Sequence, residues 1–126
     1  MKYGSALGKA RGLGSAKGGS RHWWAQRVTA LALIPLVFWF AMAVARWPHA
    51  DYGEFTRWVA APWNTILLIS FIIAAFYHAI LGVQVIIEDY VHTDWIKILS
   101  ILSIKLILAF LALASVFATL RIAFTG

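Results

Sequence analysis

Residues 76–90 read FYHAILGVQVIIEDY, an apolar run that contains one histidine and ends in two acids and a tyrosine. An ionisable side chain inside a membrane-length apolar segment is energetically costly, so His78 is a candidate functional residue. The acids Glu88 and Asp89 mark the point at which such a helix meets water. The segment therefore predicts a membrane-spanning helix with one deep histidine and a polar end.

The composition of the whole chain is that of an integral membrane protein. Of its 126 residues, 62% are hydrophobic and only 13% are charged, which is far from the profile of an ordinary soluble domain. The net charge of +6 comes mainly from an N-terminal tail beside a span, which indicates membrane orientation rather than nucleic-acid binding. The chain has no Cys, which excludes disulfides and iron–sulfur ligation by this chain.

Three apolar runs have the length that a bilayer requires. They lie at about residues 28–45, 63–87 and 96–120, and each is long enough to cross a hydrocarbon core of about 30 Å. Pro35 lies inside the first run and predicts a kink rather than a break. The expected fold class is an all-α membrane protein with three transmembrane helices, arranged up-down-up.

The chain is expected to divide into an N-terminal tail and a membrane domain. Residues 1–20 are rich in Gly, Ser and basic side chains and predict a flexible basic tail, whereas residues 21–126 form the three-helix membrane domain. The loop at residues 46–58 contains interfacial aromatics and is suited to a short helix on the membrane surface. The excess of basic residues predicts that the N-terminus is cytoplasmic. Seven basic residues lie on that side (Lys2, Lys9, Arg11, Lys17, Arg21, Arg27, Lys97) and three on the other (Arg46, Arg57, Arg121).

His78 and Asp89 are expected on one helix face at different depths. Eleven residues are very nearly three helical turns, and at about 1.5 Å per residue they place the histidine roughly 16 Å deeper than the carboxylate. Ala74 and Gly82 lie one turn before and one turn after His78, and such small residues let a flat group or another helix approach closely. This pattern favours His78 as an axial ligand of haem. The alternative is a buried histidine that is hydrogen-bonded across a helix interface.

The other polar residues of the spans leave alternatives open. His22, His49 and His92 are all expected at membrane ends, where they cannot reach the second face of a ring near mid-membrane. A haem at His78 would then be either five-coordinate or shared with another chain. Lys105 can extend its ammonium back to the interface or pair with a haem propionate or a partner subunit. The acid-aromatic end of residues 88–90 is, taken alone, typical of a solvated helix cap.

Two motifs carry a resemblance to a known family. The pattern HxxxGxxxxxxDYVH begins at His78, and HWWAQRVTA at residues 22–30 precedes the first span. In these motifs, and in the number and spacing of its spans, the chain resembles the small hydrophobic membrane anchors of succinate dehydrogenase, respiratory complex II (the small anchor of cytochrome b556). The resemblance covers nearly all of the chain after the tail. Glu88 departs from the Thr or Ser that is often found there in the family.

The resemblance implies roles for four residues, beside the haem-packing role that helical spacing gives Gly82. The histidine matching His78 is an axial ligand of a b-type haem shared with the companion membrane anchor subunit, which supplies the second histidine. The pair matching Asp89 and Tyr90 lines the ubiquinone site, where the phenol hydrogen-bonds a quinone carbonyl and the carboxylate orients the region or relays protons. Arg27 matches an arginine near the quinone and the haem propionates. A positive-inside anchor explains Arg27 equally well.

The function implied is that of a membrane anchor subunit of succinate:quinone oxidoreductase, in electron transport and the tricarboxylic acid cycle. Such a chain holds the flavoprotein and iron–sulfur subunits at the membrane, binds neither flavin nor iron–sulfur cluster, and has no active site of its own. The location expected is a bacterial inner (cytoplasmic) membrane, with the mitochondrial inner membrane as the alternative. The competing function is a small cofactor-free transport or assembly subunit with a proton or ion path through His78, Lys105 and Asp89.

Overall fold

The computed structural model describes residues 17–125, and every regular element in that range is helical. Most of the predicted basic tail, residues 1–16, lies outside the described residues. Three of the helices are long and apolar enough to cross a membrane, which confirms the predicted all-α, three-span fold class. The elements are α1 (Lys17–Val44), a 3₁₀ turn (Trp47–His49), α2 (Tyr52–Ala60), α3 (Pro62–Tyr90) and α4 (Asp94–Thr125).

The three long helices extend beyond the apolar runs that predicted them. The helical backbone satisfies its own hydrogen bonds, so it continues into the polar interface where the side chains no longer need to be apolar. α1 begins at Lys17, inside the segment predicted as tail. It also continues through Pro35 without a break, as expected for a membrane helix whose neighbours compensate the lost hydrogen bond.

α3 is the helix against which the others are arranged. It packs against α1 and against α4, and the short helix α2 packs against both α3 and α4. Only residues 91–93 separate α3 from α4, so these two helices must run in opposite directions. The histidine of α3 therefore lies in the middle layer of the domain, within reach of side chains from α1.

The predicted short helix of the first loop is present as α2, and its start is fixed by a capping box. The Asp51 carboxylate accepts a hydrogen bond from the Glu54 amide at 2.7 Å, and the Glu54 carboxylate accepts one from the Asp51 amide at 3.1 Å. This reciprocal arrangement satisfies two amides that the first helical turn leaves unpaired. A cap of this kind contributes about 1 kcal/mol to helix stability.

An aromatic cluster holds α2 against the ends of α1 and α3. Trp58 of α2 stacks on Trp39 of α1, with 5.4 Å between ring centroids and 22° between ring planes. Trp47 packs edge-on against Trp58. It also forms a T-shaped pair with Phe55, with 5.0 Å between ring centroids. Each such pair contributes about 0.5–1.5 kcal/mol beyond the area it buries. The members of the aromatic cluster are Trp39, Phe40, Trp47, Phe55, Trp58 and Phe71.

The spans bury very little against one another. In the most apolar part of each long helix no more than 6% of the residues are buried. Within residues 17–125 the buried hydrophobic side chains are Ala43, Val59 and Leu81. Because lipid tails are as apolar as these side chains, such surfaces are stable in a bilayer and are also open to helices of other chains. These sparsely buried faces of residues 17–125 are therefore available for contact with other chains.

Candidate functional site

His78 on α3 faces a threonine of α1. Thr29 Oγ1 on α1 lies 3.0 Å from His78 Nδ1 on α3, and both side chains are partly buried. The same hydroxyl is 2.8 Å from the carbonyl oxygen of Ala25 and 3.0 Å from that of Gln26, in the preceding turn of α1. His78 is thus held across a helix interface through one ring nitrogen.

The second ring nitrogen of His78 is left unused. Among residues 17–125, Nε2 has no hydrogen-bond partner, and it is not fully buried. The side chain lines an open groove of about 340 Å³ between α1 and α3. Phe38, on the wall of this groove, is 69% exposed, so the groove faces lipid or another chain. The α1 residues of the groove are all apolar: Ala30, Leu33, Ile34, Val37 and Phe38.

Gly82 lies one helical turn beyond His78 and leaves open space beside α3. A Cβ atom added at Gly82 would meet no other atom within 4 Å, apart from its chain neighbours and its own helix backbone. The space is consistent with the predicted close approach of a flat group or a second helix at this face. The haem-packing role of Gly82 stays a prediction.

The acidic end of α3 is an exposed surface. Tyr90, the last residue of the helix, is 78% exposed, and Asp89 beside it is also exposed. Glu88 accepts a hydrogen bond from the Gln84 amide at 3.0 Å, which fixes its carboxylate along the helix. Twelve residues separate His78 from Tyr90, or about 18 Å along a helix axis. The two predicted sites are therefore separate places on one helix.

A second groove, of about 510 Å³, lies among α1, α3 and α4 near the same end. Lys105 lines it together with Arg21, Tyr77 and Gln84. His22 also lines this groove, and its Nε2 is the buried side-chain nitrogen or oxygen that has no hydrogen-bond partner among the described residues. Lys105 and His78 thus line different grooves.

Arg27 of α1 lies against an aromatic ring of the same helix. The Arg27 guanidinium carbon lies 5.3 Å from the centroid of the Trp23 ring, a cation–π contact worth about 0.5–1 kcal/mol at an exposed site. Within residues 17–125 no three or more His, Cys, Asp or Glu side chains come together to hold a metal ion.

Comparison with known sequences places these residues in a family. The sequence model of the family described as succinate dehydrogenase/fumarate reductase transmembrane subunit matches residues 1–114. The chain belongs to this family. The match over residues 1–114 extends into α4, so it contains every candidate site residue.

Individual relatives agree with the family match. The succinate dehydrogenase hydrophobic membrane anchor subunit of Rickettsia bellii is 37% identical over 98 residues, which is 78% of this chain and 78% of the relative. The protein of the same name in Paracoccus denitrificans is 33% identical over 90 residues, 71% of this chain and 70% of the relative. The succinate dehydrogenase membrane anchor subunit of Reclinomonas americana is 32% identical over 95 residues, covering 72% and 78%. No solved structure matches the chain.

Sequence reasoning missed three features of the described residues: the contact of Thr29, the Gln84–Glu88 hydrogen bond and the enclosure of the His22 ring. Thr29 lies within the motif at residues 22–30, but nothing in its spacing indicates a contact with a histidine 49 residues later. Gln84 and Glu88 are four residues apart on α3, and this helical spacing was a usable signal for their hydrogen bond. His22 carries no sequence signal of its partly enclosed ring, because its burial arises from the packing of three helices.

Proposed function

We propose that this chain is a membrane anchor subunit of succinate:quinone oxidoreductase, which holds the flavoprotein and iron–sulfur subunits at the membrane. The family match over residues 1–114 and the three helices of membrane-spanning length support this role. The near absence of buried surface in the described spans suits a chain that completes its packing with other subunits. The chain contributes binding surfaces rather than an active site of its own.

The haem b of the complex is held in part by His78. The observation that carries this assignment is the state of the imidazole: Nδ1 is held by Thr29, whereas Nε2 has no partner among the described residues and borders an open apolar groove. An iron ligand needs such a nitrogen lone pair, and the apolar wall and the space at Gly82 fit a porphyrin. When bound, the haem supplies a one-electron redox centre inside the membrane.

A companion anchor subunit would supply the other ligand of the haem iron. The α1 residues that line the His78 groove are aliphatic or aromatic, and such side chains do not bind haem iron. The groove is open rather than enclosed, which supports a site shared between two chains. Arg27, exposed near the start of the first span, is the cation of this chain assigned to the vicinity of the propionates and the quinone.

The ubiquinone site includes Tyr90 and Asp89 at the end of α3. A quinone that takes up two electrons also takes up two protons, and a phenol donates a hydrogen bond to the oxygen on which negative charge develops. Tyr90 does this in the proposal, while Asp89 orients the region or relays protons. Their exposure on the chain's surface supports a pocket whose other walls are partner subunits, with the iron–sulfur subunit on this side.

The proposed orientation places the N-terminus and the turn at residues 91–93 on the cytoplasmic side of a bacterial inner membrane. Seven basic residues on that side against three on the other support it. A mitochondrial inner membrane, with the same ends facing the matrix, is the alternative location. In either membrane the exposed end of α3 faces the compartment in which the soluble subunits reside.

The optical spectrum of the purified complex tests the haem assignment. Reduced b-type bands are expected in the wild type, and they should be lost in His78→Ala because the iron loses one axial ligand. His49→Ala is the matched control, since His49 is exposed in the 3₁₀ turn, and it should keep the bands. A wild-type complex without b-type bands, or a His78→Ala complex that retains them, would remove the haem role from this chain.

A further inference from the structure

The imidazole of His78 is the end of a short chain of hydrogen bonds. Its Nδ1 lies 3.0 Å from Thr29 Oγ1, and that hydroxyl lies 2.8 Å from the carbonyl oxygen of Ala25. A carbonyl oxygen can only accept, and a threonine hydroxyl carries a single proton. Threonine in a membrane helix commonly gives that proton to the carbonyl one turn earlier.

The direction of the chain fixes the state of the histidine. With its proton committed to the carbonyl of Ala25, the Thr29 oxygen has only lone pairs to offer His78. Nδ1 must then carry the ring proton and donate it, which leaves the lone pair of the neutral ring on Nε2. Each bond in such a chain polarises and strengthens the next.

We infer that Thr29 is a positioning residue of the haem site, which holds His78 in the tautomer that presents Nε2 to iron. The inference rests on the proposed haem ligation and adds a residue that never touches the iron. A metal-binding histidine generally donates its second ring nitrogen to an oxygen, and this contact orients the ring and makes it a stronger ligand. Here the acceptor comes from α1, so packing of α1 against α3 sets the ligand geometry.

The chain offers a matched control for the threonine. Thr119 on α4 donates to the carbonyl oxygen of Ser115 at 2.9 Å, the same backbone contact that Thr29 makes, and its side chain is also shielded within the helices. It lines neither the His78 groove nor the groove of Lys105. Thr119→Val therefore removes an equivalent hydroxyl from a span without changing the surroundings of His78.

The test measures the haem midpoint potential and the rate of haem loss in the intact complex. Thr29→Val should keep b-type bands, but its midpoint potential should rise, because a histidine without the acceptor is a weaker donor to oxidised iron. The rate of haem transfer from Thr29→Val to an excess of apomyoglobin should increase about tenfold. Thr29→Ser, which keeps the hydroxyl, and Thr119→Val should both match the wild type.

The outcomes separate this inference from the haem assignment. Wild-type potential and haem-transfer rate in Thr29→Val would overturn the role of Thr29 while leaving His78 as the ligand. If Thr29→Val does not assemble, Thr29→Ala and Thr29→Ser decide: a shift in Ala alone supports the hydroxyl's role, and equal behaviour of the two contradicts it. The haem assignment itself is tested by His78→Ala. Persistence of the b-type bands in that variant would contradict the assignment.

Discussion

Trp58 of α2 stacks on Trp39 of α1 at 5.4 Å between ring centroids, and this contact joins the surface helix to the first span. Trp58→Ala should remove a half-buried indole from the aromatic cluster and lower the stability of the complex by about 2–4 kcal/mol. Trp63→Ala is the control, since Trp63 is 76% exposed in this chain. Thermal unfolding of the detergent-solubilised complex measures both. Equal losses in the two variants would show that the stacking contributes nothing specific.

Gly82→Leu tests the open space beside His78. Because a Cβ at this position meets nothing within 4 Å outside its own helix and neighbours, and because Gly lowers helix stability by about 0.5–1 kcal/mol relative to Ala, the variant chain itself should accumulate normally. The leucine should nevertheless occupy space needed by the haem or the companion helix, so reduced b-type bands should fall strongly.

The control for the glycine variant is Ala114→Leu, which adds the same side chain to an exposed small position of α4. It should leave the haem bands intact. Full haem content in Gly82→Leu would mean that neither the cofactor nor a neighbouring helix approaches this face of α3.

Tyr90→Phe removes a single hydroxyl from the end of α3. If the phenol donates to the quinone, succinate-dependent ubiquinone reduction should fall by at least about tenfold, while succinate oxidation with an artificial dye acceptor should remain near normal. Tyr52→Phe is the matched control, because Tyr52 is 75% exposed at the start of α2. Parallel loss of both activities in Tyr90→Phe would indicate an assembly defect instead of a local quinone role.

Lys105→Met tests whether the lysine takes part in the haem site. Lys105 lines the groove that contains Gln84 and Arg21, whereas His78 lines the groove against α1. Haem content and quinone reduction should therefore stay within about twofold of the wild type, since an interfacial lysine that reaches water contributes mainly packing. A marked loss of b-type bands, as large as that of His78→Ala, would instead support pairing with a propionate.

The three spans were predictable because bilayer thickness sets a minimum apolar length that the sequence displays directly. The ends of the helices were less predictable than the spans, because the helical backbone continues where the hydrophobic pattern stops. α1 beginning at Lys17 shows this. In sequence, Trp47 and Trp58 are typical of interfacial anchors. Their place in the aromatic cluster depends on the packing of α2 against the spans.

In the candidate site, too, sequence predicts individual residues but not the contacts that depend on helix packing. His78 stands out in sequence because an ionisable group in an apolar span is rare, and the resemblance of the motif predicts roles for Asp89 and Tyr90. The contact between Thr29 and His78 could not be predicted, because it depends on the rotation of α1 against α3. A one-residue rotation, about 100° of helix phase, would turn the hydroxyl away from the imidazole.

The sparse burial of the spans has a consequence for the life of the chain in the cell. A newly inserted copy presents Lys105 and long apolar faces to lipid, because few side chains of its described spans are buried. Orphan copies should therefore be recognised by membrane quality control and turned over quickly. We expect the abundance of this protein to follow the supply of the chains that cover its apolar faces.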